Sequence, residues 1–172
     1  MPAPKKSATR SRRASRAGER SAPGTLRLAI LSRNARLYST RRLVEAARAL
    51  GLAPLVLDTL RCNMVVARDT PRILYAGEEL VATDLRVVIP RIGASITGYG
   101  LSVVNQLELM GVPVLAAATP IARSRDKLRA LQLLSRFGID IPRTVMCRFR
   151  EEVPDAVDMV GGLPCIIKLI QG

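Results

Sequence analysis

Residues 26–58 limit the fold of this chain more than any other stretch, because two short apolar runs, LRLAIL and APLVLD, flank the segment TRRLVEAARALG. Each run has the length and the Leu, Ile and Val density of a buried strand. Between them Leu43, Ala46, Ala47 and Leu50 recur at helical spacing, Ser39 or Thr40 stands where an N-cap belongs, and Gly51 lies just past the end. Strand, helix and strand in succession predict a β-α-β unit, whose two strands run parallel and whose crossover is right-handed.

The pattern continues downstream. RILYAGEELV (72–81) reads as a hairpin pivoting near Gly77, and RVVIP (86–90) returns to the sheet. Residues 95–110 read as a helix despite Gly98 and Gly100, since Val103, Leu107 and Met110 keep one face apolar; VPVLA (112–116) reads as a further buried strand. The predicted fold is α/β, an open and mostly parallel sheet with flanking helices, Rossmann-like, in which ligands gather beyond the carboxyl ends of the strands.

From residue 119 the texture changes. TPIARSRDKLRALQLLSRFGIDIP predicts a helix with Ala130, Leu133, Leu134 and Phe137 on one face, Ser124 placed to cap it and Gly138 to end it. IPRTVMCRF (141–149) reads as a strand, EEVPDAVDMVG (151–161) as a short helix and LPCIIKLI (163–170) as a final strand. Two strands and two helices bury little alone, so they open a second unit without completing it. The expected organisation is a basic unfolded tail at 1–24, an α/β domain at 25–118, and the incomplete start of a second domain at 119–172.

Charge and composition remove several classes of function. The net charge of +13 suggests nucleic acid until it is located: seven of the 27 basic residues and only one acid fall in residues 1–24, a segment without apolar periodicity. Such a tail is either simply solvated or makes weak, salt-sensitive contact with RNA or a ribosome surface. No apolar run approaches the roughly 18 residues of a membrane span, and no apolar core follows Arg12-Arg13 to make a secretory signal, so a cytoplasmic setting without membrane contact is expected. The chain has no histidine, and Cys62, Cys147 and Cys165 are far apart. Neither a Ser-His-Asp triad nor a zinc ribbon can be assembled, and Cys165 reads as a small buried hydrophobe.

Outside the tail the chain has two lysines, Lys127 and Lys168, among many arginines. In LPCIIKLI a period of two sets Ile166, Lys168 and Ile170 against Leu163, Cys165, Ile167 and Leu169. Lys168 is then either an edge-strand lysine that reaches water or a lysine aimed into a cleft to hold a phosphate. Lys127 falls in the first turn of its helix, where the dipole gives a lysine no support and welcomes an anion; a solvated surface lysine is the plainer alternative.

The segments LSRNARLYSTRRLVEAA, VVIPRIGASITGYG, IARSRDKLRALQLLSRFGIDIPRT and DMVGGLPCIIKLIQG resemble, in order and spacing, the amino-terminal half of the RimK-like ATP-grasp ligases, which add glutamate to the C-terminus of ribosomal protein S-six. The likeness runs from about Leu26 to Gly172 and excludes the tail. It implies a pre-ATP-grasp domain followed by the first part of an ATP-grasp unit. The implied chemistry is phosphorylation of a carboxylate by ATP, with magnesium or manganese, and attack of an amine on the acyl phosphate. L-glutamate and a protein C-terminus would be the substrates, a homo-oligomer the assembly, and Lys127 and Lys168 the residues that contact nucleotide. The family's glycine-rich loop and metal ligands lie beyond K-L-I-Q-G, so these 172 residues alone are expected not to catalyse phosphoryl transfer. An RNA- or ribosome-binding module, and a partner subunit completed by a separate ATP-grasp chain, are the alternatives.

Three arginines remain. Arg33 and Arg36 follow the first strand and Arg91 follows VVIP, all near the expected carboxyl edge of the sheet. A guanidinium there can grip a substrate carboxylate in two-point fashion. Surface ion pairing with Asp58, Glu78 or Asp84 is the alternative.

Overall fold

The computed structural model describes residues 27–68 and 70–169. The basic tail, and with it the RNA reading, lies outside the described residues, as do Ile170, Gln171 and Gly172. The chain opens with strand β1 (Arg27–Leu31), helix α1 (Tyr38–Ala49) and strand β2 (Ala53–Leu57). Strands β3 (Cys62–Val65), β4 (Arg72–Tyr75) and β5 (Glu78–Glu79) follow, then β6 (Leu85–Pro90) and helix α2 (Thr97–Leu109). Beyond them come α3 (Ala118–Arg125), α4 (Lys127–Arg136) and α5 (Val153–Val160).

The sheet order is β2-β1-β6, all parallel, with Ala29 beside Leu55 on one side and Val88 on the other. VPVLA joins this sheet by a single parallel bridge, Val88 to Val114, rather than as a full strand. Alternation along β1 settles which helix covers which face. Leu28 and Ile30 pack with Leu43, Val44 and Ala47 of α1. Ala29 and Leu31 face the other way into the larger core with Leu57, Val88, Val103, Val104 and Leu107. Both faces are therefore covered, as a parallel sheet requires.

The hairpin is present, with Leu74 opposite Glu79 and Tyr75 opposite Glu78. Its turn residues Ala76 and Gly77 both have positive φ, +54° and +94°, the backbone that matches strand twist in a two-residue loop. The sequence reading omitted β3, which pairs antiparallel with β4 and makes a small sheet of three strands. Helix α2 fastens this sheet to the core. Tyr99 Oη donates to the Cys62 carbonyl at 2.6 Å, and the buried Gln106 Nε2 donates to the carbonyls of Val65 and Arg72 at 2.9 and 3.2 Å.

Past residue 118 the structure departs from the sequence reading in two ways. The expected helix is two helices, broken at Asp126, whose backbone is extended and whose carboxylate accepts from Arg129 N at 2.9 Å. Asp126, not Ser124, caps α4; the Ser124 hydroxyl donates to the Ile121 carbonyl instead. Neither IPRTVMCRF nor the described part of LPCIIKLI forms a strand. Both run without a ladder, because alternation supplies faces but not the neighbouring backbone that a strand must bond to. Side chains of both would-be faces of the second segment are consequently exposed, Ile166 at 83% and Ile167 at 75%, and Cys165 is half-buried rather than buried.

Candidate functional site

The site begins where β1 and β6 end. Arg91 N donates to the Leu31 carbonyl at 2.9 Å and Ser32 N to the Leu57 carbonyl at 2.9 Å, so the parallel ladder runs one step past each strand before the chain turns away. Beyond those ends lies a cleft of about 400 Å³, lined by Ser32, Ser39, Thr40, Arg91, Ser124 and Arg125, with Leu37, Ile92 and Ile121 as apolar wall. It sits at the carboxyl edge of the parallel sheet, where this architecture places ligands.

The hydroxyls of α1 serve the cleft rather than the helix end. Leu37 occupies the N-cap position and no side chain caps the helix. Ser39 Oγ accepts from Arg91 Nη2 at 3.2 Å, and Thr40 Oγ1 shares a 3.0 Å hydrogen bond with Ser32 Oγ, both groups buried. Arg125, in the last turn of α3, donates from Nη2 to the Ile92 carbonyl. Two guanidinium groups thus line the cleft, and no Asp or Glu does. An acceptor-rich anion is the ligand such a lining can neutralise.

Of the residues singled out from sequence, Arg91 lines this cleft; Arg33 and Arg36 are exposed on the loop between β1 and α1 and do not. That loop is shaped by Asn34, whose side chain accepts from Arg36 N at 2.8 Å. Lys127 is the first residue of α4 and donates from Nζ to the Leu169 carbonyl at 3.0 Å. The contact draws Lys127 to the residue next to Lys168 in the chain, bringing together two positions 41 apart in sequence. Both lysines are exposed, and neither lines the cleft.

Sequence reasoning missed Arg125, Ser32, Thr40 and Ser124 as cleft residues. The available signal was weak: a hydroxyl pair, Ser39-Thr40, directly before Arg41-Arg42, and the run S-R-N-A-R-L-Y-S-T after a buried strand. Cys62 plays no part in the site. It is fully buried, its thiol donates to the Asp58 carbonyl at 3.7 Å, and burial, aided by the negative charge of Asp58, pushes the thiol up to about 11.

Comparison with known proteins agrees with the α/β fold. Residues 26–121 match the RimK pre-ATP-grasp domain and residues 124–172 the RimK-like ATP-grasp domain. A probable alpha-L-glutamate ligase of Pseudomonas aeruginosa is 54% identical over 147 residues, covering 86% of this chain and 48% of that protein. The chain spans about half the length of the curated relatives it matches. Among solved structures, a RimK domain protein ATP-grasp from Sphaerobacter thermophilus aligns with a TM-score of 0.58 at 22% identity, over 78% of this chain and 46% of that one. The ATP-grasp ligase PsnB, complexed with precursor peptide PsnA2 and AMPPNP, aligns with a TM-score of 0.59 at 19% identity, over 84% and 54%. Those two likenesses speak for the fold. Among the described residues no helix is long and apolar enough to cross a membrane, and no three or more His, Cys, Asp or Glu side chains group to hold a metal ion. The chain belongs to the RimK family of ATP-grasp ligases, matching its pre-ATP-grasp domain and the beginning of its ATP-grasp domain.

Proposed function

We propose that this chain forms the amino-terminal, carboxylate-gripping part of a cytoplasmic ATP-dependent carboxylate-amine ligase that adds glutamate to a protein C-terminus or related acceptor. The observation that carries this reading is the cleft at the carboxyl edge of the sheet, lined by two guanidinium groups and four hydroxyls and by no carboxylate. In it Arg91 holds a substrate carboxylate, with its own side chain steadied by Ser39. Arg33 and Arg36 add to the positive field on the approach without touching the ligand. Lys127 and Lys168, adjoining through Leu169, are the cationic contacts for ATP phosphates.

The reaction in this reading transfers a phosphoryl group from ATP to the carboxylate, and the acceptor amine displaces phosphate to form an amide. The described residues supply binding and orientation. Among them no three or more His, Cys, Asp or Glu side chains group to hold the magnesium or manganese that the family implies. Positioned backbone donors and oxygen-bound metal are needed to offset charge in phosphoryl transfer, and residues 27–169 alone are proposed to bind substrate without turnover. The unpaired segments at 139–149 and 163–169 support the same view, since they need further strands, from additional chain or from a separate polypeptide, to make a nucleotide clamp.

The test is a calorimetric titration of the chain with L-glutamate and with a glutamate-ended peptide, beside Arg91→Ala. Saturable binding that weakens about tenfold or more in the variant is the expected result. Equal binding to both proteins would remove Arg91 from the site. Hydrolysis of ATP by the 172-residue chain with magnesium would refute the lack of turnover.

A further inference from the structure

We propose that Arg125 is a second specificity-determining residue of the cleft: it grips one carboxylate of a two-carboxylate ligand while Arg91 grips the other. The inference rests on the ligase reading above. It adds a residue from another helix and a reason for the cleft to prefer two acidic groups over one.

The first support is the charge of the lining. Arg91 and Arg125 reach the same space from different elements, the loop after β6 and the last turn of α3, and no acid lines that space to balance either. A ligand with a single carboxylate leaves one guanidinium without a counter-charge in a partly enclosed site. Two carboxylates satisfy both.

The second support is preorganisation. A guanidinium has five N-H donors in one plane, so a single fixed hydrogen bond orients the group and leaves the others for a ligand. Arg125 makes that bond to the Ile92 carbonyl. Ile92 is itself immobilised, because its buried side chain lies against α2 at Gly100, where an added Cβ would overlap the Ile92 Cγ2 methyl. The backbone of Arg91 is held by the ladder bond to Leu31 and its side chain by Ser39. Both forks are therefore held before any ligand arrives, which lowers the ordering cost of binding.

Glutamate has the matching chemistry, as a free amino acid or as the last residue of a peptide. The test uses the full chain in calorimetric titrations with four probes: L-glutamate, a short peptide ending in glutamate, the same peptide ending in glutamine, and the glutamate peptide with an amidated C-terminus. The parent is expected to bind the better of the first two about tenfold or more tighter than either single-carboxylate peptide. Preference for the free amino acid or for the peptide then identifies the source of the carboxylates, and either agrees with the proposal. Arg125→Ala should bring the ratio close to one against whichever single-carboxylate peptide lacks the group that Arg125 grips, and leave the ratio against the other peptide, which reports Arg91. Arg125→Gln keeps a donor for the Ile92 carbonyl and removes the charge, so it should keep the parent's melting temperature and still lose the first of these ratios, which covers a failure of the alanine variant to fold. Parental ratios against both peptides in Arg125→Gln, or an equal loss for all four probes, would overturn the proposal while leaving Arg91 in place. If the parent saturates with none of the probes, the ligase reading of the cleft falls, and this inference with it.

Discussion

Residues 28–112 hold every buried side chain among the described residues, and residues 113–169 hold none. Both regions carry apolar periodicity, yet only the first turns it into a sheet. In the second, helices form and strands do not. The difference lies in where backbone hydrogen bonds are closed: α3, α4 and α5 satisfy theirs internally, whereas IPRTVMCRF and LPCIIKL need a neighbouring strand that the described residues do not supply. Residues 113–169 are the less packed region among the described residues.

The sharpest way to break this contrast is to truncate one isoleucine in each region. Ile30→Ala, in the fully buried centre of β1, is expected to cost about 3 to 4 kcal/mol in urea denaturation. Ile166→Ala, at 83% exposure, should change the midpoint by no more than about 0.5 kcal/mol. Similar losses at the two sites would mean that the second region is packed after all.

The next effect is a pH dependence within the packed region. The Cys62 thiol is raised from 9.0 to about 11 in the fold by burial and then by Asp58, so its neutral form is favoured there. The associated stability is complete below pH 9 and is lost as pH rises toward 11, amounting to about 2 to 3 kcal/mol. Denaturation midpoints of the parent and Cys62→Ala across that window should diverge at low pH and converge at high pH. Iodoacetamide at pH 8 should label Cys147 and Cys165 and spare Cys62 in the folded protein.

Two glycines of α2 give opposite signs. Gly100→Ala forces a methyl into Ile92 and is expected to destabilise by about 1 to 3 kcal/mol, despite better helix propensity. Gly98 faces open space, and Gly98→Ala should stabilise by about 0.5 to 1 kcal/mol. Thermal melts of the two variants test the pair. The smallest effect falls in the open region, where Asp126→Ala removes the α4 cap at a cost of about 1 kcal/mol. Amide exchange should quicken within Lys127–Arg136 while the global midpoint stays put.

What could be read from the sequence follows the same division. The β-α-β unit was legible because its apolar spacing and its end signals agree, and the hairpin because Ala-Gly sits between two short runs. Strand β3 was not, since CNMV has a polar residue in a short run and is fixed by Tyr99 and Gln106 from a helix some 40 residues later. The break at Asp126 was hidden because Asp in an arginine-rich stretch looks like a helix-surface residue until its carboxylate is seen capping Arg129 N. The cleft was half legible. A position after a strand marks Arg91, but Arg125 arrives from α3, and only the folded chain brings residues 32–40, 90–93 and 121–125 to one place.

The single-residue joint at Asp126 has a mechanical corollary. Helix α4, with its 10 residues, is about 15 Å long. Turning it by about 10° at that pivot carries its far end through about 2.6 Å for such a length. Arg125 sits on one side of the pivot and Lys127 on the other. The torsions of one aspartate would therefore act as the fulcrum of a lever, with the Arg125 side of the cleft at the short arm and Lys127 at the root of the long one.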